Sequence, residues 1–462
     1  MKMVVSDEAA LKAMFQHKGA SGKLPCMLCR NVVLRRYAPD DMAAPLVLHT
    51  CTDESRFLQH DLPSLLNLVR HLEARSTVLN KGQMSELETA LGFNRAPLGV
   101  LSSETVLDHM DPTKALLYDW MHCYVVGGLF QLEVNLLMGV LAEAKVKMSD
   151  LDTFFQQFQW PKSLESKGAG AKKVFEHKKK AKDDEWKSSA SEALSAFPVL
   201  RAWLDDFRKR PGISEKVQGS IRSCLALCRD LLLLCSTDNG ARYANDLRMA
   251  IVRHLNLFQQ AHGLHRFIPK AHLVLHLATM LERHGQLVSC FVHERRHKEL
   301  KRFANELDNF QAGAEKHIMR EMILCHIDDM SNMDVINEVG LIDAKPATAD
   351  VIAHVRATLG LGGARPMQVS GKAYFRPNRA AHTGDVVVVA EPESIAEVAY
   401  HVAFDNYLLT CVLFYEEVMT ENCFRVRRDR VGFIRTRDIK AACIFSEKDG
   451  ICRVAPQMFE AD

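Results

Sequence analysis

Val4-Val5-Ser6-Asp7-Glu8-Ala9-Ala10 is a short β-prone run that ends on an aspartate and passes directly into a helix-forming sequence. Read outward, it predicts a strand, a helix over residues 8–17, a break at Gly19-Ala20-Ser21-Gly22, and a loop carrying Pro25-Cys26-Met27-Leu28-Cys29. An Asp at such a junction either caps the helix, by accepting a free backbone N–H, or presents a hard oxygen to a divalent cation. Cys26-x-x-Cys29 supplies half of a tetrahedral thiolate zinc site, or else two buried thiols. The zinc partners expected downstream are His49 and Cys51, in Leu48-His49-Thr50-Cys51.

Two further segments put acidic residues at the mouths of helices. In Tyr118-Asp119-Trp120-Met121-His122, the Asp and His three apart share one helix face. They form either a cap with a core histidine or a pair reaching one ligand. In Glu294-Arg295-Arg296-His297-Lys298-Glu299-Leu300-Lys301-Arg302, Glu294, His297, Lys298 and Lys301 lie on one side of a helix. That is either a solvated charged face or a metal-binding Glu beside cations that grip a phosphate backbone.

The 462 residues, 47% hydrophobic, suffice for two to four domains with buried cores. A net charge of +2 excludes a global basic field, so any nucleic-acid surface must be local. Thirteen scattered cysteines suit free thiols in a reducing compartment rather than a disulfide framework. The N-terminus lacks the apolar core of a signal peptide, and the apolar stretches at 125–141 and 225–235 do not read as membrane spans. The expectation is an intracellular protein with no membrane partner.

Leu62, Leu65, Leu66, Val69 and Leu72 recur at helical spacing, and 121–141 is a second helix. Residues 162–187 form a basic, Gly-containing stretch around His177-Lys178-Lys179-Lys180, either a solvated linker or a DNA-backbone contact. Helical periodicity returns over 196–335. From 386 onward, short β-prone runs such as Val386-Val387-Val388-Val389 and Thr410-Cys411-Val412-Leu413-Phe414 are separated by turn residues, which predicts a small antiparallel barrel.

The order Asp with a Cys pair, Asp-x-Met-His, then Glu opening a basic helix resembles the catalytic layout of CACTA (En/Spm)-type and KDZ-type DNA transposases. The resemblance rests on Asp7, Cys26, Cys29, Asp119, Met121, His122, Glu294, His297, Lys298 and Lys301. Lys270-Ala271-His272 departs from the family's Lys-Pro-His-like segment at its middle position. It implies an α+β, mostly helical chain: a partial RNase H-like core with a large helical insertion and a C-terminal small β-barrel. The expected division is 1–60 as a partial RNase H-like strand and helix with a zinc loop, 61–335 as the helical region, 336–370 as a linker, and 371–462 as the barrel.

What the resemblance implies about activity is metal-dependent cleavage and strand transfer of DNA. Asp7, Asp119 and Glu294 would hold Mg2+ or Mn2+, His122 would support the site, and Zn2+ would be structural. Lys298, Lys301 and Arg302 would meet DNA, as would Arg427, Arg428 and Arg430 in the tail. In the family the Asp preceding the Cys pair is the second of the triad, and only six residues precede Asp7. The expectation is therefore an N-terminally truncated gene product or a domesticated relic, without cleavage activity by itself. A nuclear protein and a homo-oligomer are further implied.

Gly384-Asp385 leading into the valine run resembles, weakly, the opening of bromo-adjacent-homology or Tudor-like barrels, which bind chromatin. Tyr374, Phe375, Tyr400, Phe414 and Tyr415 are then either an aromatic cage or core. The rival function is a non-catalytic DNA or chromatin adaptor. A third is a zinc-stabilised helical scaffold.

Overall fold

The computed structural model describes residues 3–38, 42, 44–173, 186–235, 237–290, 316, 319–321, 323–324, 327, 339–363, 365–376, 379–390, 394–418, 422–427 and 429–455. About 51% of the protein is helix and 20% strand, so the chain is α+β and mostly helical. It divides into two compact units, one of residues 1–146, 183–190 and 208–294, the other of 147–182, 191–207 and 295–462.

In the first unit, Val4–Ser6 pairs in parallel with Leu116–Tyr118, in the register Val4 to Leu116 and Ser6 to Tyr118. A parallel pair is stable only when covered on its faces, and Leu116, Leu117 and Tyr118 are all buried. Each strand runs into an aspartate that caps the next helix. Asp7 Oδ1 accepts from Ala10 N at 2.6 Å and starts Glu8–Phe15. Asp119 Oδ1 accepts from Met121 N at 3.1 Å and starts Trp120–Tyr124. The first helix ends two residues before the sequence-based boundary, because Gln16 takes a left-handed conformation.

Leu62–Ser76 and Lys81–Leu91 each begin with a reciprocal cap, Asp61 with Ser64 and Asn80 with Gln83. Leu65 and Leu72 are the buried face of the former. Leu129–Glu143, Glu215–Cys235 and Ala244–His262 are helices whose Leu, Ile and Val side chains form the helical core.

The window Trp120–Glu143 is long and apolar enough to cross a membrane, with a mean hydropathy of 1.7, but 56% of it is buried within the fold. It is also interrupted. Gly127 has φ +54°, and a Cβ on Gly128 would lie 2.3 Å from Cys123 O, so only glycine admits this turn.

In the second unit a seven-stranded antiparallel sheet follows the order 431–435, 407–414, 394–404, 386–389, 439–442, with 368–370 and 345–346 branching from its third strand. Val386–Val389 is buried throughout, and alternation divides it between two cores. Val387 and Val389 join Val398, Val412 and Ile434, whereas Val386 and Val388 join Cys443, Phe445 and Val454.

The first and last strands of that order are joined only by Thr436–Asp438. Four flat inter-strand steps would span about 19 Å, more than the roughly 14 Å that four residue steps can reach. The sheet therefore curls.

Residues 336–370, read as a linker, are structured where described. Thr348 caps helix Ala349–Leu359, whose Val355 packs with Met367, Val402 and Phe404. Of the five aromatic residues weighed as a cage, four are divided among three apolar clusters, with Phe414 packing beside Phe375. Phe375 and Tyr415 lie in the two separate cores, while Tyr400 packs on the third cluster and donates to, or accepts from, His354 Nδ1 at 2.7 Å.

Candidate metal centres

Among the described residues, two groups of His, Cys and acidic side chains are close enough to hold an ion. The first is Cys26, Cys29, His272 and His276, all buried, with one ligand atom from each within 4.8 Å of the others. Cys26 Sγ and Cys29 Sγ lie 3.3 and 3.4 Å from His276 Nε2, which is 3.2 Å from His272 Nε2.

Around a tetrahedral zinc with Zn–S near 2.3 Å and Zn–N near 2.05 Å, the N···N and S···N edges are about 3.3 and 3.5 Å. The three edges that meet at His276 Nε2 already stand at nearly those separations, and the donor set is one that zinc takes in closed, structural sites.

The thiols come from the loop after Gly19–Ser21, and the imidazoles from a helical run comprising Lys270–Leu273, Val274–His276 and Leu277–His284. At spacing i, i+4 the two histidines share a face. Phe57 stands edge-on to His272 with ring centroids 4.8 Å apart, and Tyr118 Oη lies 3.4 Å from Cys26 Sγ.

Burial alone would raise the Cys26 thiol. The hydrogen bond with Cys29 and the nearby His276 and His272 outweigh it and hold Cys26 well below the usual thiol range. Cys29 moves the other way, raised by its hydrogen bond to Cys26 and by burial. Burial lowers His272, against the pull of the Cys26 thiol beside it, and so favours the neutral form a metal needs. A divalent cation at the centre would let both thiols ionise.

His49 and Cys51 stand outside this group of four. The 47–48 strand pairs in parallel with 32–33 and turns His49 back onto Arg35, whose N–H donates to Nδ1 at 3.3 Å. Cys51 Sγ is engaged by Asp53 O at 3.8 Å. The corners assigned to them are filled from a helix some 250 positions away.

The second group lies at the carboxyl ends of the two parallel strands. Asp119, buried, accepts from Met121 N and from Cys290 N at 3.2 Å through Oδ1, and holds His122 Nδ1 with Oδ2. The other ring nitrogen, Nε2, lies 3.8 Å from Asp7 Oδ2. Asp7 and Asp119 thus approach the same imidazole, that of His122.

Lys270 Nζ donates to Val126 O and Gly127 O at 2.9 and 3.0 Å. Burial lowers its pKa, while Cys123, Glu8, Asp7 and Asp119 oppose that shift, so its charge bears on the same site.

Glu294, Lys298, Lys301, Arg302 and Arg428 lie outside the described residues, as do His177-Lys178-Lys179-Lys180. Arg427 is occupied by acids of its own module, Glu416 at 3.0 Å and Asp429 at 3.1 Å. Arg430 is exposed. No family model matches the sequence, and neither curated proteins nor solved structures give a match.

Proposed function

We propose that this chain derives from a CACTA/KDZ-type transposase and that its Asp7–Asp119–His122 site serves metal-dependent phosphodiester chemistry on DNA. The observation that carries this reading is the pairing of Val4–Ser6 with Leu116–Tyr118, which sets two aspartates side by side at the ends of adjacent parallel strands. Carboxylates so placed neutralise a divalent ion while leaving positions for phosphate oxygens.

Asp119 fixes the ring of His122, and His122 Nε2 faces Asp7. Glu294, four residues beyond Cys290, would complete the acidic set, with Mg2+ or Mn2+ as the ion that polarises the phosphoryl group. Zinc at Cys26, Cys29, His272 and His276 would tie the N-terminal loop to the helical run that bears Lys270. DNA is the partner in this reading, an RNase H-like core the fold, and the nucleus the place of action, with a homo-oligomer performing strand transfer.

The test is nicking and strand transfer in Mg2+ or Mn2+, comparing the native chain with Asp7→Asn and Glu294→Gln. Activity in the native chain, reduced at least about 100-fold in each variant, supports the reading. An inactive native chain whose DNA binding survives both changes favours the adaptor. The curled sheet around Val386–Val389 supports that second reading as a small bromo-adjacent-homology or Tudor-like barrel that engages chromatin.

A further inference from the structure

We propose that Asp119, His122 and Cys290 form a second metal centre, selective for a borderline-soft divalent ion such as zinc, cobalt or cadmium over magnesium. The proposal rests on the Asp119–His122 site described above and assigns it a zinc-class ion in place of the Mg2+ or Mn2+ of the nuclease reading.

A carboxylate oxygen, an imidazole nitrogen and a thiol sulfur stand within 4.8 Å of one another there. The Cys290 N–H donates to Asp119 Oδ1 at 3.2 Å, which pins the thiol-bearing residue against the carboxylate. Magnesium takes an octahedron of oxygens and keeps its water, whereas thiolate and imidazole donors select zinc and its neighbours.

The two centres differ in kind. Cys26, Cys29, His272 and His276 are all buried and supply four ligands, a closed set. Asp119 is buried but His122 and Cys290 are half-exposed, and they supply three ligands, the number found where a fourth position is left for water or substrate. Asp7 Oδ2 lies 3.8 Å from the His122 Nε2 that Asp119 does not hold.

The test is a cobalt titration of the full chain, followed by its thiolate-to-metal absorption and by equilibrium dialysis, for the native protein, Cys290→Ser and Cys290→Asp. The native chain is expected to take a second equivalent beyond the Cys2His2 site. Cys290→Ser should weaken that equivalent by roughly tenfold or more and remove its share of the absorption. Cys290→Asp should retain the second equivalent for manganese without the thiolate band.

A native chain that binds a single equivalent, or a Cys290→Ser protein that binds both unchanged, overturns the proposal. A second, Cys290-dependent ion without DNA nicking leaves the centre standing and removes the nuclease reading. Magnesium-supported nicking indifferent to Cys290→Ser does the reverse.

Discussion

Asp119 illustrates how one side chain can cap a helix and orient a neighbouring ring. Its carboxylate accepts two backbone N–H groups and holds His122. Asp119→Asn keeps an acceptor for the cap but replaces the other oxygen with a donor that meets the ring N–H. Leaving buried polar groups mispaired costs about 1–3 kcal/mol, so chemical denaturation should show a loss of that size, and any nicking activity should disappear.

The dual role also explains why this residue was only half-legible in sequence. Asp-x-x-His reads equally as a cap and as a ligand pair, and only the strand register that sets Ser6 beside Tyr118 brings Asp7 to the same point. His272 and His276 were less legible still. Two histidines at i, i+4 in an apolar helical run are the available signal, but their thiol partners are 250 positions away, a distance no local pattern spans.

At the scale of elements, three helices of the first unit are joined by a buried ionic chain. His254, on Ala244–His262, places Nδ1 2.7 Å from Asp230 Oδ2 and Nε2 2.7 Å from Glu133 Oε2, while Tyr124 Oη donates to Asp230 at 2.9 Å. All four are buried. Burial opposes the imidazolium, but Glu133 and Asp230 prevail and raise His254 from 6.5 to about 10.

A proton bound more tightly in the folded state stabilises fully below the unfolded pKa, near 6.5, and is lost as pH rises through about 10. The stability difference between the native chain and His254→Gln should therefore shrink between those limits. At neutral pH, breaking one partner of such a network costs about 3–5 kcal/mol. A difference independent of pH would show that His254 is neutral when folded.

Gly128→Ala belongs to this scale too. The added methyl meets Cys123 O, and thermal melts should show about 1–3 kcal/mol of destabilisation, with displacement of the helix that carries His122.

Elements with strong periodicity were readable: Leu65 and Leu72 mark the buried face of Leu62–Ser76, and the valine run marks a strand covered on both faces. Helix Ala349–Leu359 was hidden by its surroundings, since Pro346 and the glycines at 360, 362 and 363 flank only 11 residues. It is held by Val355 packing on the sheet rather than by length.

On the scale of the whole molecule, the chain comprises two compact units, and the Cys2His2 group belongs entirely to the first. Calorimetry should resolve a transition that chelation lowers, and another, from the unit built on the curled sheet, that chelation leaves in place. A single transition that chelation does not move would separate the metal from folding. The net charge of +2 adds that DNA affinity, if present, comes from local contacts and the bound ions rather than from a general field.

Side chains from the two ends of this first unit, Cys26 and Cys29 with His272 and His276, converge on one four-ligand centre. X-ray absorption at the zinc edge, on the purified chain and on His272→Ala and His276→Ala, tests it most directly. The expected spectrum has a shell of two sulfurs near 2.3 Å and two nitrogens near 2.0 Å, lost in both variants and kept when His49 and Cys51 are replaced. A metal that persists without His272 and His276, or that depends on His49 and Cys51, would contradict it.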